Sequence, residues 1–154
     1  MNFNFNAKSD WMKNSFVQWF LFVLMLSSTV ACSDDDGQKS CNPEYNISAS
    51  INVNLPLYSE LETRGWTYVD GAGTGTKGII VVKLINGYKA YDRNAPHLCP
   101  GSNTRLEVVD DIKLYCPEDG AEWILLTGEP ILIADRSPRT YSAVRNGDII
   151  DIFN

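Results

Sequence analysis

Gly78-Ile79-Ile80-Val81-Val82-Lys83-Leu84-Ile85-Asn86-Gly87-Tyr88-Lys89-Ala90-Tyr91 is the stretch on which the fold turns. Ile79 to Ile85 is apolar except for Lys83, and four of its seven residues are Ile or Val before the chain reaches Lys83. Branching at Cβ favours the extended chain, and the run falls short of the roughly ten residues a helix needs. An unbroken apolar run predicts a strand covered on both faces, where a half-buried strand would alternate. Asn86-Gly87 followed by Tyr88-Lys89-Ala90-Tyr91 predicts a tight turn into a second, antiparallel strand.

The rest of the chain carries the same signature. Ile47, Ala49, Ile51, Val53, Leu55 and Leu57 alternate with polar residues, a half-buried strand ended by Pro56. Ser59-Glu60-Leu61-Glu62 has capping-box spacing and predicts one helical turn. Trp66 to Val69 reads as a strand. Thr104 to Val109 and Ile112 to Tyr115 flank Asp110-Asp111 as a hairpin. Trp123 to Leu126 turns through Thr127-Gly128-Glu129-Pro130 into Ile131 to Ile133. Tyr141 to Arg145, Asn146-Gly147 and Asp148 to Phe153 form a last hairpin. Longer loops cover Asp70 to Gly78, Asp92 to Asn103 and Cys116 to Gly120. The first holds Gly73-x-Gly75-x-x-Gly78, but it opens a strand. A phosphate-binding version opens a helix, so the loop reads as a hairpin connection. No long helical period appears. Residues 46–154 are expected to form an all-β domain, a small antiparallel sandwich or barrel.

The chain has 154 residues, one His, four Cys and a net charge of −6, with a pI near 4.7. One His cannot build a two-His metal site within one chain. An acidic surface repels phosphate backbones, so no nucleic-acid partner is expected.

Residues 1–31 read as an address. Lys8 and Lys13 precede the apolar run Phe16 to Met25 and Leu26, the length of a signal-peptide core and short for a membrane span. Ser27-Ser28-Thr29-Val30-Ala31-Cys32 resembles a bacterial lipobox, with Thr29 where Leu is usual. It implies lipidation of Cys32 and a membrane partner through the anchor. Residues 32–45 then form an acidic tether. Its Ser33-Asp34-Asp35-Asp36-Gly37 resembles the surface-export signal of Bacteroidota-type lipoproteins, implying the cell envelope and the outer membrane. Export implies an oxidising compartment for Cys41, Cys99 and Cys116.

Cys116-Pro117-Glu118-Asp119-Gly120-Ala121-Glu122-Trp123, followed by Thr127-Gly128-Glu129, resembles the second cluster-binding loop of Rieske-type domains. Tyr91-Asp92-Arg93-Asn94-Ala95-Pro96-His97 resembles the first. The closing hairpin with Tyr141 and Asn146-Gly147 also fits, and Leu55-Pro56-Leu57-Tyr58 resembles Rieske-like envelope lipoproteins of the Bacteroidota type. The resemblance implies a Rieske-like sandwich with two loop tips forming a degenerate cluster-binding region.

A Rieske centre takes two Cys on one iron and two His on the other. The family positions fall on Ala95, His97, Cys116 and Asp119, so one thiolate and one imidazole are missing. The resemblance therefore implies the fold, with no cofactor as the expectation. The alternative is an electron-transfer protein holding a 2Fe-2S cluster on the non-standard set His97, Cys99, Cys116 and Asp119. If the loops meet tip to tip, Cys99 and Cys116 are also candidates for a disulfide, with Cys41 able to pair with either or stay free. His97 has no nucleophile motif beside it, and Asp119, Glu118 and Asp92 are the carboxylates that could orient it. The expected role is a non-enzymatic, lipid-anchored binding or accessory module with an unidentified protein partner.

Overall fold

The computed structural model describes residues 44–154. The expected leader, the lipidation site Cys32 and most of the tether, including Cys41, lie outside the described residues. The described chain forms ten strands: β1 (Ser48–Asn52), β2 (Trp66–Val69), β3 (Ile79–Leu84), β4 (Gly87–Asp92), β5 (Glu107–Val109), β6 (Lys113–Tyr115), β7 (Glu122–Ile124), β8 (Pro130–Leu132), β9 (Thr140–Asn146) and β10 (Ile149–Phe153). They build a six-stranded sheet in the order β1-β10-β9-β4-β3-β2 and a four-stranded sheet in the order β5-β6-β7-β8. Every pairing within these sheets is antiparallel.

β3 explains the architecture. Ile79 and Val81 enter one core, with Ile51, Leu61, Ala90, Ile150 and Ile152. Ile80 and Val82 enter a second, with Tyr91, Leu106, Leu114, Trp123 and Leu125. All four β3 residues are fully buried. Alternate side chains of a strand leave opposite faces, so a strand that serves two cores must be apolar throughout. The second core is the one that matters for the site, because it also contains Ala95, Cys116 and Ala121 from the two loops.

The elements stand where the sequence places them, and the differences lie at their ends. β1 stops at Asn52, whose side-chain carbonyl accepts the Asn54 N–H at 3.0 Å. This Asx-type turn leaves Leu55 and Leu57 exposed, outside the alternation expected to reach Leu57. A 3₁₀ turn, Pro56–Tyr58, follows. The helix α1 (Glu60–Thr63) forms without the expected capping box. Ser59 is itself helical, and its hydroxyl donates to Pro56 O at 2.8 Å.

Both Asn-Gly signals mark hairpins, yet each loop is shifted by one residue. Leu84 pairs with Gly87, so the first loop is Ile85-Asn86. A type I′ loop needs positive φ at both central residues, which β-branched Ile85 does not adopt. Asn146 pairs with Ile149, so the last loop is Gly147-Asp148, with Gly147 first at φ 63°. Asp110 and Asp111 have φ 54° and 58°, and the Ile112 N–H donates to Val109 O at 3.2 Å. That pair closes the β5–β6 hairpin as a primed turn.

Candidate functional site: two facing loop tips

The first loop leaves the end of β4. Asp92, buried, accepts the Asn94 N–H at 2.8 Å and the Tyr141 hydroxyl at 2.6 Å. Burial, followed by the contact with Asp92, pushes the Tyr141 hydroxyl well above its ordinary pKa. Asn94 is buried too. Its amide donates to Ala95 O and Leu98 O at 2.9 and 3.0 Å, and its carbonyl accepts the Thr104 hydroxyl at 2.8 Å. Buried polar groups must find such partners or destabilise the fold. Together they wind the loop around Asn94, with Ala95 fully buried and His97 carried toward the second loop.

The second loop is a tight turn. The Gly120 N–H donates to Cys116 O and the Cys116 N–H to Ala121 O, both at 2.9 Å. Gly120 turns it at φ 79°, a value that favours glycine. The Asp119 carboxylate accepts the Ala121 N–H at 3.1 Å through Oδ1. Just beyond, Gly128 serves a different need. A Cβ there would lie 2.9 Å from the Tyr91 ring, so glycine lets the Thr127-Gly128-Glu129 turn close on Tyr91. The Tyr91 hydroxyl then donates to Leu126 O at 3.3 Å.

The loops meet at one contact. His97 Nε2 and Asp119 Oδ2 are 2.5 Å apart. The two side chains are 15% and 24% exposed, sheltered enough for the pair to be more than a surface ion pair. The imidazole also lies against Trp123, ring centroids 5.8 Å apart. Burial raises the Asp119 pKa, but hydrogen bonds from His97, the Ala121 N–H and the Cys116 thiol outweigh it and hold the carboxyl below its ordinary value. Cys116 is fully buried with a free thiol. Burial pushes its pKa up, partly offset by backbone N–H groups of Glu118 and Asp119.

Of the three carboxylates the sequence offered to His97, Asp119 is the one that takes it. Asp92 is committed to Tyr141 and Asn94, and Glu118 is exposed. The expected Cys99–Cys116 disulfide is not formed. Cys99 is disulfide-bonded, whereas Cys116 is a free thiol bonded to Asp119. Cys116 sits in the second core, while Cys99 lies at the exposed end of its loop. Asn94 and Thr104 order the first loop with Asp92; the sequence offered Asp92 only as a carboxylate for His97, and Asn94 and Thr104 were not among the residues singled out. Their only signal there is the clustering of short polar side chains that bond to nearby backbone.

The four positions that the sequence resemblance assigns to cluster ligands, Ala95, His97, Cys116 and Asp119, offer one thiol and one imidazole and do not fit a centre requiring two of each. Ala95 presents a buried methyl. Asp119 engages His97 Nε2 directly. His97 Nδ1 is buried without a hydrogen-bond partner among the described residues, a single nitrogen. Among the described residues no three His, Cys, Asp or Glu side chains are grouped to hold a metal ion.

The fold is that of Rieske proteins. The chain superposes on the crystal structure of the cyanobacterial plasma membrane Rieske protein PetC3 from Synechocystis PCC 6803, with a TM-score of 0.50 and 20% identity, over 68% of this chain and 99% of that one. A structure of the complex of reduced oxygenase and oxidised ferredoxin in carbazole 1,9a-dioxygenase is also similar, with a TM-score of 0.46 and 13% identity, over 71% and 94% of the two chains. No family model and no curated protein matches the sequence. Among the described residues no helix is long and apolar enough to cross a membrane.

Proposed function

We propose that this is a lipid-anchored envelope protein whose Rieske-like domain works as a binding or accessory module without a 2Fe-2S cluster. The direct bond from His97 to Asp119 carries the reading. It joins the loop tips through two of the four family ligand positions, while a third, Ala95, is a buried methyl. The fold keeps both loops and their supporting core, and a presented surface remains the role for a domain without redox chemistry. Anchoring through Cys32 and placement at the outer membrane rest on the lipobox-like and acidic segments of the sequence.

The test is the iron and acid-labile sulfide content of the chain purified without oxygen. The reading expects neither in stoichiometric amount and no visible absorption. Stoichiometric iron and sulfide would overturn it in favour of electron transfer on a non-standard ligand set.

A further inference from the structure

On the side of the domain formed by the β2–β3 connection, a cleft of about 510 Å³ opens beside the glycine-rich loop, lined by Asp70, Thr76, Lys77, Ser102 and Arg105 among others. Its wall is held by a charge network. Asp70 lies 2.5 Å from Arg105 and 3.6 Å from Arg93. Arg93 is buried, stacks 3.4 Å above the Tyr68 ring and donates Nε to Leu106 O at 3.0 Å. Arg105 donates Nε to Lys77 O at 3.0 Å. Gly78 makes the arrangement possible, since a Cβ there would fall 2.0 Å from Asp70 Oδ1. Any larger residue would displace the carboxylate that fixes both guanidinium groups.

Among the charged residues lining the cleft, one carboxylate, Asp70, stands against two cations, Arg105 and Lys77, and Lys77 is in no ion pair among the described residues. The local excess is positive on a chain whose net charge is −6. Arg105 has used Nε and Nη2, and Nη1 is left for a further acceptor. The hydroxyls of Thr76 and Ser102 line the same cleft. A guanidinium held in place, with an ammonium and two hydroxyls lining the same open space, suits a tetrahedral oxyanion with several acceptor oxygens. The overall acidity disfavours a long polyanion and leaves a single group acceptable. We infer that this cleft is a binding site for a phosphate group, with Lys77 and Arg105 as its cationic contacts.

The experiment is a titration of the ¹⁵N-labelled full chain with inorganic phosphate at constant ionic strength, with sodium chloride as the control. Saturable amide shifts at Thr76, Lys77, Ser102 and Arg105 are expected, with none at His97. Lys77→Ala should weaken binding about tenfold, as loss of one charge-assisted contact does, while Lys77→Arg retains it and both keep the unfolding midpoint. Displacement of phosphate by phosphatidylglycerol vesicles would identify a lipid headgroup as the source, and its absence a soluble phosphate; either upholds the site. Shifts that fail to saturate, that chloride reproduces, or that Lys77→Ala leaves unchanged would overturn it.

Discussion

His97 Nε2 is 2.5 Å from Asp119 Oδ2, and this contact joins two loop tips through residues 22 apart in the chain. A sheltered, charge-assisted hydrogen bond contributes roughly 1.5–3 kcal/mol. Asp119→Ala and His97→Ala should each lower stability by about that amount, and the double variant by less than their sum. Denaturant unfolding of the four proteins measures the coupling. Additive losses would show that the two side chains act independently.

Cys116 should resist alkylation. Its thiol is fully buried and its pKa is raised by that burial, so little reactive thiolate is available at neutral pH. Mass spectrometry after iodoacetamide treatment should find Cys116 modified only in unfolded protein. Equal labelling of folded and unfolded chains would contradict the packing described.

The disulfide of Cys99 makes a separate prediction. Cys116 is not its partner. A peptide map under non-reducing conditions should find Cys99, and not Cys116, in a disulfide-linked peptide. A Cys99–Cys116 peptide would count against the free thiol.

The sequence made the fold legible through β3. Four consecutive apolar residues require cover on both faces, and the two cores provide it. Turn positions were legible only to within one residue, because Asn-Gly names a turn while strand pairing sets its register. The candidate site was legible as positions. His97 and Asp119 could be placed on the family's loops, but spacing along a chain carries no distance, so their bond could not be read. The pairing of Cys99 was hidden for the same reason. Three cysteines in a tether and two loops allow three pairings, and the free thiol of Cys116, buried in the second core, excludes the two that contain it.

Acid should release the Arg64–Asp111–Trp66 contact. Asp111 accepts Arg64 at 2.6 Å and the Trp66 indole N–H at 2.8 Å. The Arg64 hydrogen bond first, then that of Trp66, holds its carboxyl below the ordinary value of about 3.9. A depressed folded pKa means stabilisation that is complete above the unfolded value and lost as pH falls through the folded one. The Trp66 indole proton signal should therefore stay constant at neutral pH and move only below about pH 4. A transition near neutrality would contradict the assignment.

Lipidation at Cys32 predicts that radiolabelled palmitate enters the chain and that Cys32→Ala abolishes both the label and sedimentation with the envelope. Retained label in that variant would remove Cys32 as the attachment point.

The contact between the loop tips is directly measurable through the chain's only histidine. One imidazole gives one set of ring ¹⁵N–¹H signals in the protein purified without oxygen. The His97–Asp119 contact predicts a sharp, diamagnetic ring with a slowly exchanging Nε2 proton that is lost in Asp119→Ala. Imidazole signals broadened by a paramagnetic centre and restored when iron is removed would contradict it.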